Sequence, residues 1–173
     1  MSIVLERAQV EHLVGLYAAC NMDLNTASKE MANTSKDAMI EFVNDHVYQT
    51  IPWVCRDKAK RIQTRDIAKS GMDRGTKESS EGNDAKGWII LKETMNSILL
   101  VLFGPTIHNI FLDKLELSFK YVADESKPSM SEMMQMLGPR IIVAIKMELN
   151  KHNLYRANAQ DQLDLEMLRA NPL

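Results

Sequence analysis

Residues 88–105 read Trp88-Ile89-Ile90-Leu91-Lys92-Glu93-Thr94-Met95-Asn96-Ser97-Ile98-Leu99-Leu100-Val101-Leu102-Phe103-Gly104-Pro105. Apolar side chains recur at 88, 91, 95, 98 or 99, and 102, the spacing that lines one face of an α-helix. From Ile98 to Phe103 every residue is apolar, so this end is hydrophobic on all sides and is expected in a core. Gly104-Pro105 closes the run, glycine suiting the position just past one helix and proline the first turn of the next. That next helix carries His108, Phe111, Leu115, Phe119 and Val122 on one stripe. Two core helices with almost no linker set the class. It is all-α, a bundle of about eight helices around a buried central helix at 88–103, in a single domain of residues 1–173.

Toward the N-terminus, Val10, Leu13, Val14 and Tyr17 mark a helix over about Ile3 to Cys20. Two short helices are expected at Asn25–Met31 and Ser35–Tyr48. A further one at 51–69 tolerates Pro52 in its first turn and turns Val54 or Cys55, Ala59 and Ile62 inward. Residues 70–87 hold four glycines and three serines with one large apolar residue besides, Met72, and read as a long flexible loop. Toward the C-terminus a short helix spans Met130–Leu137. Gly138-Pro139 opens another, to about His152, with Ile141, Ile145 and Leu149 inward. A last amphipathic helix at 159–170 is expected to be separable from the body.

The chain of 173 residues carries a net charge of -2 and two cysteines, Cys20 and Cys55, too few for a disulfide framework. No basic segment leads into an apolar run at the N-terminus, and the longest apolar run is short of a bilayer span. The expectation is an intracellular location and no membrane partner.

Catalytic patterns are sought and not found. There is no Gly-x-Ser-x-Gly elbow and no His-Glu-x-x-His pair. Gly71-Met72-Asp73-Arg74-Gly75-Thr76-Lys77 has the flavour of a phosphate loop but lacks its Gly-Lys-Ser/Thr end. His12, Cys20, His46, Cys55, His108 and His152 form no close pair, so neither metal nor cofactor is expected. An enzyme would need a carboxylate beside His108 or His152 in an open cleft. The reading is a protein that acts by binding, not catalysis.

Charge distribution points to the partner. Between Arg56 and Lys77 eight basic residues stand against three acidic ones, a local excess of five. Lys58, Arg61, Arg65 and Lys69 are spaced three and four apart along one ridge, and Arg74 and Lys77 continue the charge into the loop. Such a ridge suits nucleic-acid phosphates, RNA or DNA, because backbone binding needs charge density and reach. Leu24–Ile40 adds the outline of a helix-turn-helix, with Ser35, Lys36 and Asp37 at its recognition positions. The plainer reading is a solvated helix face interleaved with Asp57 and Asp66. The alternative function is a protein partner or self-assembly. It rests on 12 methionines, among them Met130, Met133, Met134 and Met136, and on Leu163, Leu165 and Leu168 of the last helix. Core filling is the plain account of those methionines. Nucleic acid ranks ahead of protein.

Overall fold

The computed structural model describes residues 3–21, 57–120 and 130–170. Among them lie five helices: α1 (Arg7–Cys20), α2 (Lys58–Ser80), α3 (Asp84–Lys120), α4 (Met130–Lys151) and α5 (Ala159–Ala170). The described residues hold no strand beyond one isolated bridge, Leu5 to Tyr155. The all-α class stands, and the expected count of about eight helices does not. Two expected breaks are not breaks: Pro139 sits within α4, and the expected loop at 70–87 is helical except around Glu81–Asn83. The expected break at Gly104-Pro105 stands, since α3 is two helical stretches joined across a kink at Gly104. The two short helices placed at Asn25–Met31 and Ser35–Tyr48 lie outside the described residues.

Where the sequence suggests a single domain, contacts group the chain into two compact units. One comprises Met1–Ala19 with Pro105–Leu173, the other Cys20–Gly104. In the second unit α2 starts at Asp57, whose carboxylate accepts a hydrogen bond from the Lys60 backbone N–H at 3.1 Å, a conventional N-cap. The helix ends at Ser80 with Glu81 as its cap, and Gly82 just beyond takes a left-handed φ of +87° that favours a residue without Cβ.

The glycines of residues 70–87 serve close packing, and this corrects the loop reading. A Cβ on Gly71 would overlap the Thr94 side chain, lying 2.7 Å from its Cβ. A Cβ on Gly87 would meet the Ser79 hydroxyl and come within 2.9 Å of the Gly75 carbonyl oxygen. Thr64, Ala68, Gly71, Met72 and Gly75 are the buried residues of α2, a small-residue seam facing the first half of α3. The phosphate-loop resemblance of Gly71 to Lys77 is thereby a helix seam. Ala59 and Ile62, expected inward, are exposed, Ile62 by 60%.

The start of α3 buries Met95, Ile98, Leu99, Leu102 and Phe103, whereas Leu100 is 40% exposed. The all-apolar run is therefore not enclosed on every side. At Gly104 the backbone adopts φ 83° and ψ 166°, a conformation open essentially to glycine alone, and Pro105 then resumes the helix. By length and composition Ile89–Glu116 is apolar enough to cross a bilayer, at mean hydropathy 1.5. Half of its 18-residue apolar window is buried inside the protein.

In the first unit the described parts of the expected stripes hold, the Phe119 side chain and Val122 lying outside the described residues. Val10, Leu13, Val14 and Tyr17 of α1 are buried, as are His108, Phe111 and Leu115 of α3 and Ile141, Ile145 and Leu149 of α4. Tyr17 stacks on Phe111 with ring centroids 4.8 Å apart, and its hydroxyl lies 2.8 Å from His108 Nδ1. After α4, Asn153 takes a left-handed φ of 59°. The chain then runs beside Leu5, which donates to the Leu154 carbonyl and accepts from Arg156, both at 2.9 Å. Replacing Tyr17 by Phe is expected to cost about 1–3 kcal/mol, because the buried imidazole nitrogen loses its partner while the stacking is kept. A urea midpoint unchanged from wild type would contradict that role.

Candidate nucleic-acid interface

The basic ridge follows from the helical repeat of α2. At about 100° per residue, Lys58, Arg61, Arg65 and Lys69 fall within an arc of roughly 80°. They rise about 16 Å along the axis, and all four are exposed. The seam residues lie on the neighbouring flank, centred about 80° from the ridge by the same repeat, so packing holds the helix while the cations stay in solvent. Lys58, Arg65 and Lys69 make no ion pair among the described residues.

Arg74 and Lys77 are exposed but do not extend the ridge. Because α2 continues unbroken, Arg74 is turned about 140° and Lys77 about 80° from Lys69. A drape along phosphates needs a loop there, and the chain is helical instead. Asp66 and Asp73 lie within about 60° of Lys69, so the ridge is bordered by acids at its C-terminal end. Lys58 to Lys69 is the patch that remains. The helix-turn-helix outline at Leu24–Ile40, with Ser35, Lys36 and Asp37, lies outside the described residues.

The partner-binding candidates separate. Met130, Met133 and Met134 begin α4, and their side chains are outside the described set. On α5, Leu165 and Leu168 are half-buried on the inner face, while Leu163 and Met167, four residues apart, are 55% and 67% exposed on the outer face.

Sequence reasoning missed an ion-pair cluster that fastens α5. Asp161 accepts hydrogen bonds from the Tyr155 hydroxyl at 2.6 Å, the Asn158 N–H at 2.7 Å and Arg7 Nη1 at 2.9 Å. Lys146, 3% exposed, lies 3.4 Å from both Asp161 and Glu11. Arg7 also pairs with Asp164 at 2.9 Å and Glu11 at 3.1 Å. Burial pushes Asp161 up, but the Tyr155 and Asn158 donors and Lys146 outweigh it and hold its pKa below the usual carboxylate value. The Gln160 amide, ahead of the opposing effect of burial and together with Arg7, lowers Asp164. Tyr155 is raised by burial and by the adjacent Asp161. No local pattern links position 7 to position 161, so only the fold reveals the cluster.

The two histidines singled out for chemistry sit apart. His108 is buried, with its pKa lowered by desolvation and Tyr17 as its hydrogen-bond partner. His152 lies 3.6 Å from Glu148, a carboxylate shared with Lys114 and Lys151 at the protein surface. Among the described residues no three His, Cys, Asp or Glu side chains gather as a metal site would require. No known protein family, curated protein or solved structure matches this chain.

Proposed function

We propose that this chain is a non-catalytic helical protein that binds nucleic acid through backbone phosphates, with Lys58, Arg61, Arg65 and Lys69 as its contacts. One observation supports the reading above others: four cations share one exposed stripe of a continuous helix that is packed along the adjoining flank. Point charges at helical spacing recognise phosphate without reading bases, so binding is salt-sensitive and largely independent of sequence. The test is fluorescence anisotropy with single- and double-stranded oligonucleotides, comparing the chain with a variant carrying glutamine at all four positions. Glutamine keeps helix propensity close to that of lysine and arginine. For duplex DNA the slope of log affinity against log salt should fall by about 3 to 4 in the variant, near 0.9 per phosphate contact. Glutamine at Arg74 and Lys77 should change the slope by less. No binding at low salt would sink the proposal.

A second reading is a protein partner or a second copy docking on α5, favoured by Leu163 and Met167 exposed four residues apart. Solution mass measured with and without residues 159–173 tests it. A mass that stays monomeric in both would remove self-association.

A further inference from the structure

The α5 helix is held differently from the others. No residue in it is fully buried, and its inner face carries the carboxylates of Asp161 and Asp164 beside the half-buried Leu165 and Leu168. Those carboxylates sit on Arg7 and Lys146 as phosphate oxygens would, within 2.9 to 3.4 Å. Beside them opens a groove of about 530 Å³, whose walls include Arg7, Arg140, Lys146, Glu11 and Asp164. Arg140, on α4, makes no ion pair among the described residues. We propose that α5 is an autoinhibitory clip, and that the groove of Arg7, Arg140 and Lys146 is a second site for nucleic-acid phosphates, opened when α5 lifts. The inference rests on the nucleic-acid reading above.

Charge bookkeeping supports it. With α5 docked, three cations (Arg7, Arg140, Lys146) face three carboxylates (Glu11, Asp161, Asp164). With α5 lifted, the same cations face Glu11 alone, an excess of two positive charges. The Leu154 and Arg156 hydrogen bonds to Leu5 lie outside α5 and leave 157–158 as the pivot, so lifting the helix breaks its ion pairs and the Tyr155–Asp161 bond but not the bridge to Leu5. A polyanion then competes with Asp161 and Asp164 of a weakly buried helix for Arg7 and Lys146.

The test compares oligonucleotide affinity by anisotropy for the full chain and for Asp161→Asn/Asp164→Asn. The double variant is expected to bind about tenfold tighter, and adding Arg140→Gln should erase the gain. Asp164→Asn alone keeps the Asp161 contacts and should give a smaller gain in a helix that remains folded. A charge-matched control, Asp113→Asn/Glu116→Gln, should give little, since its acids lie on exposed α3. Should the full chain bind but the Asn variants bind no tighter than the control, the clip is overturned and the α2 reading stands. A gain that survives Arg140→Gln also overturns it. If no form binds, both readings fall.

Discussion

Gly71→Ala is expected to destabilise the unit of α2 and the first part of α3 by about 3 kcal/mol, at the upper end of overpacking costs. On an exposed helix the same change would be stabilising, by about 1 kcal/mol, because alanine is the better helix former. The sign is reversed by the neighbour. The new methyl would overlap the Thr94 hydroxyl and methyl and lie 2.7 Å from the Thr94 Cβ, an atom fixed to the backbone of α3. Rotating the Thr94 side chain relieves two of those contacts and leaves the third, so the helices must move apart. Replacing Thr94 by glycine removes all three atoms. The double variant Gly71→Ala/Thr94→Gly should therefore recover much of the loss, less about 1 kcal/mol for a helix-interior glycine. A coupling energy of about 1–3 kcal/mol in the four-member cycle is the diagnostic, read from urea midpoints. Additive effects would mean that the two helices do not meet at this seam.

That seam shows where sequence reading succeeds and fails. Large apolar residues at three-and-four spacing have one common use, burial, so Val10, Leu13, Val14 and Tyr17 and the trio Ile141, Ile145 and Leu149 are legible. Glycine has two uses, tight turns and close approach, and composition alone does not choose. Gly71 and Gly75 together with Thr64 and Ala68 do carry a signal, since small residues at 64, 68, 71 and 75 share one helical face. Read as a period and not as a composition, residues 64–75 give the seam. Gly138-Pro139 misleads in the same way, because helix on both sides tolerates the missing N–H, whereas Gly104-Pro105 does mark a kink between two helical stretches.

The candidate interface divides along the same line. Lys58, Arg61, Arg65 and Lys69 are legible because a ridge depends only on local spacing. Arg74 and Lys77 are misassigned because their direction depends on whether the helix continues past Ser70. The α5 clip is invisible, since Arg7, Lys146 and Asp161 are brought together by tertiary structure alone. Binding chemistry on one helix can be read from a sequence, and chemistry shared by three helices cannot.

Asp161→Asn is expected to cost about 3 kcal/mol at neutral pH and almost nothing in acid. Removing one charge of a buried cluster strands the others, and Lys146 would keep Glu11 alone at 3.4 Å while 3% exposed. The pH dependence follows from the direction of the shift. Burial raises the Asp161 pKa, yet its hydrogen bonds and Lys146 bring it below the ordinary value; Asp164 is lowered too, chiefly by Gln160. A carboxylate with a depressed folded pKa stabilises the fold above its unfolded pKa, about 3.9 for Asp, and this is lost as pH falls through the folded value. Below both values wild-type Asp161 is neutral, as asparagine always is. The gap between the two urea curves, followed by far-UV ellipticity, should thus hold from pH 7 to about pH 5 and narrow below that, as pH falls through about 3.9 toward the folded value. A gap independent of pH would show that Asp161 acts through packing and its Tyr155 hydrogen bond, not through charge. The clip would then lose its electrostatic basis, because a polyanion can displace only what charge holds.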